Sequence, residues 1–310
     1  MENPRAERTA WHELPDELHC IVAEMLGGPV TSAVTQRNGF SPGSADRVAT
    51  ASDQRAFVKA VHRDRNPDAY DLHSREIRVM TAMPKGVRAP ALLGSYRTDD
   101  WVALILEDVD GRHPGVARDG ADVFPVLDAL ATFAAVPLAD LSGLPSAAEE
   151  FAAEANGWAE LVADQVQLPE WVATSVDRLR AAADTVTKAV AGDHLVHLDC
   201  RADNVLLDRD GAAWIIDWPW AGIGAPWIDG ISYLLDVRLR RERVDTEAVL
   251  ARHPLFQGAP PASIDAVLAA LAGGFLNKAR RPAPPNMPTL RAFQLREALA
   301  AADWLRERWR

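Results

Sequence analysis

Cysteine is almost absent from the chain: of 310 residues only Cys20 and Cys200 carry a thiol, far apart and without metal-ligand spacing. A disulfide framework and a thiolate metal knuckle are thereby excluded, and a reducing cytoplasm is the expected setting. Long apolar runs are also missing. No stretch approaches the roughly 20 apolar residues needed to span a bilayer, and the start, MENPRAERTAWHELPDELH, lacks the apolar core of a secretion signal. Positive charge is in deficit, with 33 Lys and Arg against 44 Asp and Glu and a formal net charge of −11. That balance argues against nucleic acid or an anionic membrane as partner and suits a cationic small molecule. Repeats at solenoid spacing and long low-complexity tails are absent too.

What remains is ordinary globular composition, 48% apolar and 25% charged, in a chain longer than one usual core needs. Two lobes are expected. The most informative stretch runs from His194 to Asp217, HLVHLDCRADNVLLDRDGAAWIID. His197, Asp199 and Asn204 form a compact loop leading into the apolar run Val205 to Leu207. Asp217 closes a second apolar run, Trp214 to Ile216, after the tight-turn pair Asp210-Gly211. Two short strands joined by that turn would bring Asn204 and Asp217 to one edge.

Those residue types belong together in phosphoryl transfer from a nucleotide. The reaction needs Mg²⁺ held against phosphates and a hydroxyl held in line. Magnesium takes oxygen ligands, few of them from protein, so the amide oxygen of Asn204 and the carboxylate of Asp217 suffice. Asp199 is then free to orient the acceptor hydroxyl and take its proton.

The segment resembles the catalytic and metal-binding loops of the aminoglycoside phosphotransferase and choline kinase group of kinase-like enzymes. That group carries H-G-D-x-H-x-x-N followed by I-D-W or I-D-F. His197, Asp199, Asn204 and Ile216-Asp217-Trp218 match, whereas Leu198 stands for the Gly and Arg201 for the second His. Arg201 either steadies the transferring phosphate or pairs with Asp203. In Gly224-Ala225-Pro226-Trp227-Ile228-Asp229 the resemblance makes Asp229 a structural brace near a helix start. His197 is likewise expected to brace the loop, and Trp218 and Trp220 either pack the metal loop or line a pocket.

The resemblance implies an α+β, bilobal protein-kinase-like fold, with a small antiparallel sheet and one key helix in the N-terminal lobe and a mainly helical C-terminal lobe. The first third of the chain supplies the parts. Strands are expected at Pro29 to Gln36 and Asp46 to Ala51, joined by a tip rich in Gly and Ser. Ser41, Gly43 and Ser44 there are candidate phosphate donors, although the tip is not G-x-G-x-x-G. The strand Arg55 to Val61 carries Lys59 in an apolar setting, which needs a reason. In kinases this Lys meets the α and β phosphates and pairs with a helix Glu; Glu76, in the helical pattern Tyr70 to Met83, is the candidate. Strands at Leu92 to Arg97 and Trp101 to Glu107 lead to an acidic link whose backbone, from Glu107 to Val109, is expected to bond the base.

Residues 1–110 are thus expected to form the nucleotide-binding lobe and residues 111–310 the lobe carrying the catalytic and metal loops and the acceptor site. Further helices are expected at Asp16 to Leu26, Val123 to Ala135, Ala147 to Val166, Glu170 to Ala191, Trp227 to Arg238, Thr246 to Ala251, Ala262 to Lys278 and Leu290 to Trp309. The implied activity moves the γ-phosphoryl group of ATP or GTP, with Mg²⁺, to a small-molecule hydroxyl, most like an antibiotic phosphotransferase. Choline, homoserine, a sugar or a fructosamine are alternative acceptors. A non-catalytic nucleotide-binding pseudokinase is the reading from another class.

Overall fold

The computed structural model describes residues 8–36, 43–132, 136 and 143–310. Strands β1 (Val30–Thr35), β2 (Ser44–Thr50), β3 (Arg55–His62), β4 (Leu92–Arg97) and β5 (Trp101–Leu106) form one antiparallel sheet in the order β1-β2-β3-β5-β4. Its two faces follow from the two-residue period of β3. Ala56, Val58 and Ala60 point one way, into a cluster with Leu18 and Val22 of helix α1 (Asp16–Met25). Phe57, Lys59 and Val61 point the other way, where Val61 meets Ala69 and Tyr70 of helix α2 (Pro67–Thr81). Lys59 is therefore set by register on the face that α2 covers.

Helix α2 begins before the expected Tyr70. The Asn66 side chain accepts from the Ala69 N–H at 2.8 Å, and Pro67 occupies the first turn, where its missing N–H costs nothing. β2 also starts earlier than expected, at Ser44, because Ser44 pairs with Ala60 and Ala45 with Lys59.

After β5 the chain crosses to a second, mainly helical body. β6 (Gly111–Arg112) pairs with β8 (Val205–Asp208), which pairs in turn with β9 (Ala213–Ile215). β7 (His194–Val196) pairs with β10 (Gly222–Gly224). Around these ribbons pack α3 (Val123–Thr132), α4 (Ala147–Ala163), α5 (Glu170–Thr174), α6 (Val176–Ala183), α7 (Val186–Ala189), α8 (Ile228–Leu239), α9 (Thr246–Arg252), α10 (Pro261–Ala279) and α11 (Leu290–Arg308). The far end of the expected helix Val123 to Ala135 lies outside the described residues.

Helix α10 is the centre of this body. It is apolar nearly all round, with Ile264, Val267, Leu268, Leu271 and Leu276 buried, as a helix packed on several sides requires. Trp158 of α4 is fully buried against it and donates Nε1–H to the Ala269 carbonyl at 2.8 Å. Gly273 makes that approach possible, since a Cβ there would lie 2.3 Å from the indole nitrogen. The single helix expected from Glu170 to Ala191 is instead three pieces. The Ser175 N–H is shared between the Trp171 and Val172 carbonyls, and Thr185 Oγ1 bonds back to the Ala182 carbonyl at 2.7 Å. Such local bonds compete with helix propagation.

The architecture is a bilobal α+β fold, an antiparallel sheet with helices on one side of a cleft and a helical body on the other. Among the described residues no helix is long and apolar enough to cross a membrane.

Candidate active site

The floor of the cleft is made where the chain leaves β7. Asp229, in the first turn of α8, accepts from the His197 N–H at 2.6 Å and the Leu198 N–H at 2.8 Å. It braces the loop from below. Leu198 is held at φ +64, left-handed backbone that suits the Gly for which it stands. The His197 ring is fixed by its partners. Nδ1 faces the Asp199 N–H at 3.3 Å and must accept, so Nε2 carries the hydrogen and donates to the Ile216 carbonyl at 3.0 Å. Burial pushes the imidazole below its ordinary value, as a neutral brace requires.

Asp199 and Asn204 are brought together by a 3₁₀ turn over Ala202–Asn204. Asn204 Nδ2 donates to the Asp199 carbonyl at 2.8 Å and to its carboxylate Oδ2 at 3.0 Å. The amide oxygen of Asn204 makes no hydrogen bond among the described residues. The expected hairpin is present: Val205 pairs with Ile215, and the Ile216 N–H bonds the Asn204 carbonyl at 2.9 Å. Asn204 and Asp217 consequently line one cavity.

Arg201 pairs with both neighbours. It donates to the Asp199 carboxylate through one guanidinium nitrogen, and Nε and the other nitrogen reach Asp203 at 3.1 and 3.2 Å. Its guanidinium carbon lies 5.4 Å from the ring centre of Phe293 on α11. Burial pushes Asp199 up to about 7, against the pull of Arg201 and with the repulsion of Asp203 and Asp217. One helical turn beyond Phe293 is Glu297, 8% exposed. Burial pushes that carboxyl up to about 8, opposed by Arg201 and assisted by Asp199, Asp236 and Asp203.

The roof and floor meet at Lys59. Its Nζ donates to Glu76 Oε2 and to Asp217 Oδ1, each at 2.6 Å, joining β3, α2 and the loop after β9. Glu76 Oε1 in turn accepts from the Trp218 N–H at 3.2 Å. Burial raises Glu76, and the nearby ammonium opposes it. For Asp217, burial is outweighed by Lys59, which brings the carboxyl down to about 2. The Asp217 side chain is 43% exposed toward the cleft and sits at φ +68, so an ionised oxygen stands open there. With the unused oxygen of Asn204 beside it on the same cavity wall, the donor set fits Mg²⁺. Trp218 is fully buried, with Nε1 on the Ile215 carbonyl at 2.9 Å, so it packs the loop after β9 and also borders the cavity; the Arg75 guanidinium lies 5.5 Å from the ring centre of Trp220.

The candidates above the cleft divide. Ser41 lies outside the described residues. Gly43 is pressed against β3, where a Cβ would come within 2.2 Å of the Ala60 carbonyl. Ser44, taken from sequence as part of the tip, is instead the first residue of β2; it is buried, lines the cavity, and its hydroxyl acts on the Asp46 carboxylate. Glu107 and Val109 line the cavity as well, and the Glu107 carboxylate accepts from the Ala91 N–H at 3.1 Å.

Two features went unseen in the sequence. Arg47 of β2 clamps Asp108 of the link at 2.6 and 3.0 Å. His113 Nδ1 donates to the Val205 and Ala202 carbonyls at 2.9 and 3.2 Å, fastening the link to the catalytic loop. Both pairings join distant segments, and no local pattern announces them.

The model of the phosphotransferase enzyme family matches residues 39–258, which hold every one of the residues just described except Phe293 and Glu297. The chain belongs to that family. Solved structures agree in fold at low identity. A thermostable mutant of the aminoglycoside phosphotransferase APH(4)-Ia, in a ternary complex with ADP and hygromycin B, superposes with a TM-score of 0.63 at 16% identity over 94% of this chain and 97% of that one. A spectinomycin phosphotransferase bound to AMP gives 0.56 at 12% over 94% and 93%. A choline kinase from Streptococcus pneumoniae gives 0.56 at 12% over 93% and 100%. Comparison with curated protein sequences gives no match.

Proposed function

We propose that this phosphotransferase moves the γ-phosphoryl group of ATP or GTP, with Mg²⁺, onto a hydroxyl of a small molecule, most like an antibiotic phosphotransferase. The observation that carries the reading is the joint held by Lys59, which ties Glu76 and Asp217 at 2.6 Å each while Asp199 is bonded to Asn204 on the floor below. The division at residues 1–110 and 111–310 is part of the proposal. It is supported by the pairing of β6 with β8, which puts Gly111 already on the helical side.

Each residue then has a task. Lys59, held charged by two carboxylates, meets the α and β phosphates. Backbone groups from Glu107 to Val109 bond the base, and Phe57 and Leu106 above with Leu206 and Ile216 below give it an apolar slot. Asn204 and Asp217 offer the oxygens for Mg²⁺. When bound, the ion neutralises charge on the phosphate oxygens. Asp199 takes the proton of the acceptor hydroxyl as its oxygen bonds the γ-phosphorus and the bond to the β,γ-bridging oxygen breaks, leaving the nucleoside diphosphate.

A cationic acceptor fits the site best. Asp199 and Asp203 both pair with the guanidinium of Arg201, Glu297 acts on it as well, and the chain as a whole carries −11. Hygromycin B in the neighbouring structure is of that kind, whereas choline, homoserine, sugars and fructosamines are the alternatives within the same chemistry. The contact of Arg201 with Asp199 is the observation that favours the pseudokinase reading, because it occupies the base. Nucleotide consumption with Mg²⁺ across aminoglycosides, other antibiotics, amino alcohols and sugars tests both. Turnover with one class is expected, falling by about 10²–10⁴ in Asp199→Ala while nucleotide binding persists. Binding without turnover on any acceptor would establish the pseudokinase instead.

A further inference from the structure

The segment ahead of α1 carries a cation into the cleft. Thr9 is 5% and Leu14 3% exposed, Trp11 packs on the α1 side of the sheet, and the Trp11 carbonyl lies 2.9 Å from His19 Nε2. Residues 9–14 are thus fastened to the outer face of the small sheet. Arg8, directly before them, lines the same cavity as Lys59, Asn204 and Asp217. Burial pulls its guanidinium below its ordinary value, against the opposite pull of the Asp217 and Asp46 carboxylates.

An arginine is costly to desolvate and keeps its charge, so its presence on a cavity wall asks for an anion. Two anions are already near it in the chain. Asp217, however, is the carboxylate assigned to Mg²⁺, and phosphate oxygens must share that ion. A guanidinium acted on by that carboxylate lies where the phosphates have to pass. Ser44 stands on the same wall: its residue is 1% exposed, it lines this cavity too, and its hydroxyl acts on the Asp46 carboxylate.

We infer that Arg8 is a second cationic contact for the nucleotide phosphates, delivered by the N-terminal segment and complementing Lys59 from the sheet. The inference rests on the nucleotide-binding reading above. Guanidinium suits the role because its planar fork bonds two phosphate oxygens at once.

Calorimetric titration of the full chain with MgATP and with adenosine, for wild type, Arg8→Met and Arg8→Lys, tests it. Arg8→Met is expected to weaken MgATP by about tenfold or more, the effect of losing a charge-assisted contact, with adenosine unchanged. Arg8→Lys recovers part of the loss. Matching urea midpoints for the three proteins show that the change is local. Equal MgATP affinity in wild type and Arg8→Met overturns the inference and leaves the kinase reading standing. Tighter binding in Arg8→Met overturns it in favour of a plug that competes for Asp217. A wild-type chain that binds neither ligand overturns the nucleotide reading, and Arg8's role with it.

Discussion

Removing the carboxylate of Asp229 isolates what holds the catalytic loop. Asp229 is 1% exposed and accepts two backbone N–H groups, at 2.6 and 2.8 Å. Hydrogen bonds of this charged kind contribute about 1.5–3 kcal/mol each, so Asp229→Ala would cost about 3–6 kcal/mol in a loop unable to move. The loop can move. Leu198 at φ +64 stores about 1–2 kcal/mol that is released when it leaves the left-handed region. The expected net loss is about 2–4 kcal/mol. Because Gly adopts positive φ without penalty, Leu198→Gly in the wild-type background, where φ is held at +64, should relieve up to about 1–2 kcal/mol of strain. In the Asp229→Ala background it should do less, since the backbone there has already left the left-handed region while the lost Leu198 packing and added chain entropy remain. Urea unfolding of the four proteins gives the coupling, and kinetics on the same samples should show kcat falling while nucleotide affinity, proposed above to rest on Lys59 and Glu76, holds. An Asp229→Ala protein within about 0.5 kcal/mol of wild type, or a Leu198→Gly effect equal in both backgrounds, would refute the reasoning.

Two further outcomes are expected. Glu76→Ala strips a buried partner from Lys59 and an acceptor from the Trp218 N–H, and should destabilise by up to about 3–5 kcal/mol, with Glu76→Gln losing less; unchanged urea midpoints would show that Asp217 alone suffices. Glu297, raised by burial from 4.5 to about 8, binds its proton more tightly folded than unfolded. Stability should therefore fall as pH rises between those values, and Glu297→Gln should flatten that slope and be the more stable protein at pH above about 8. Parallel slopes for the two proteins from pH 5 to 9 would remove Glu297 from the titrating set.

How much of this is legible follows from what kind of signal each residue leaves. Lys59 stands out because a charge interrupts a period-two apolar strand, and Asn204 and Asp217 because a tight-turn pair sits between two short apolar runs. These are local patterns. The early start of α2 has a local signal too, the cap pair Asn66-Pro67, but the apolar stripe that marks the helix begins only after it. The breaks in the helix after Glu170 are hidden because Ser175 and Thr185 act through bonds to nearby carbonyls that composition does not reveal. Arg47 with Asp108, His113 with Val205 and Arg8 with the cleft are beyond reach, since each depends on where distant segments meet. The two alternatives for Arg201 are sorted only on one side: it does pair with Asp203, and also with Asp199, an arrangement that spacing alone does not suggest.

The β8–β9 hairpin has a consequence for how the chain tolerates change. The separation of Asn204 and Asp217 is set by the rungs from Val205–Ile215 to Leu207–Ala213 and by the Ile216 bond to Asn204, all on the side of the hairpin away from its turn. The turn itself, closed by the Gly211 N–H on the Asp208 carbonyl, projects the other way, with Arg209, Asp210 and Gly211 exposed. Length added there lengthens a loop at small entropic cost and leaves the spacing of Asn204 and Asp217 intact. One residue added between Asn204 and Leu207 would instead turn every following side chain to the opposite face. The hairpin is a ruler whose far end meets the link between the lobes through the Arg209–Asp110 ion pair at 2.6 Å, so a label or tether grafted at Asp210 and Gly211 keeps both the spacing and that pair.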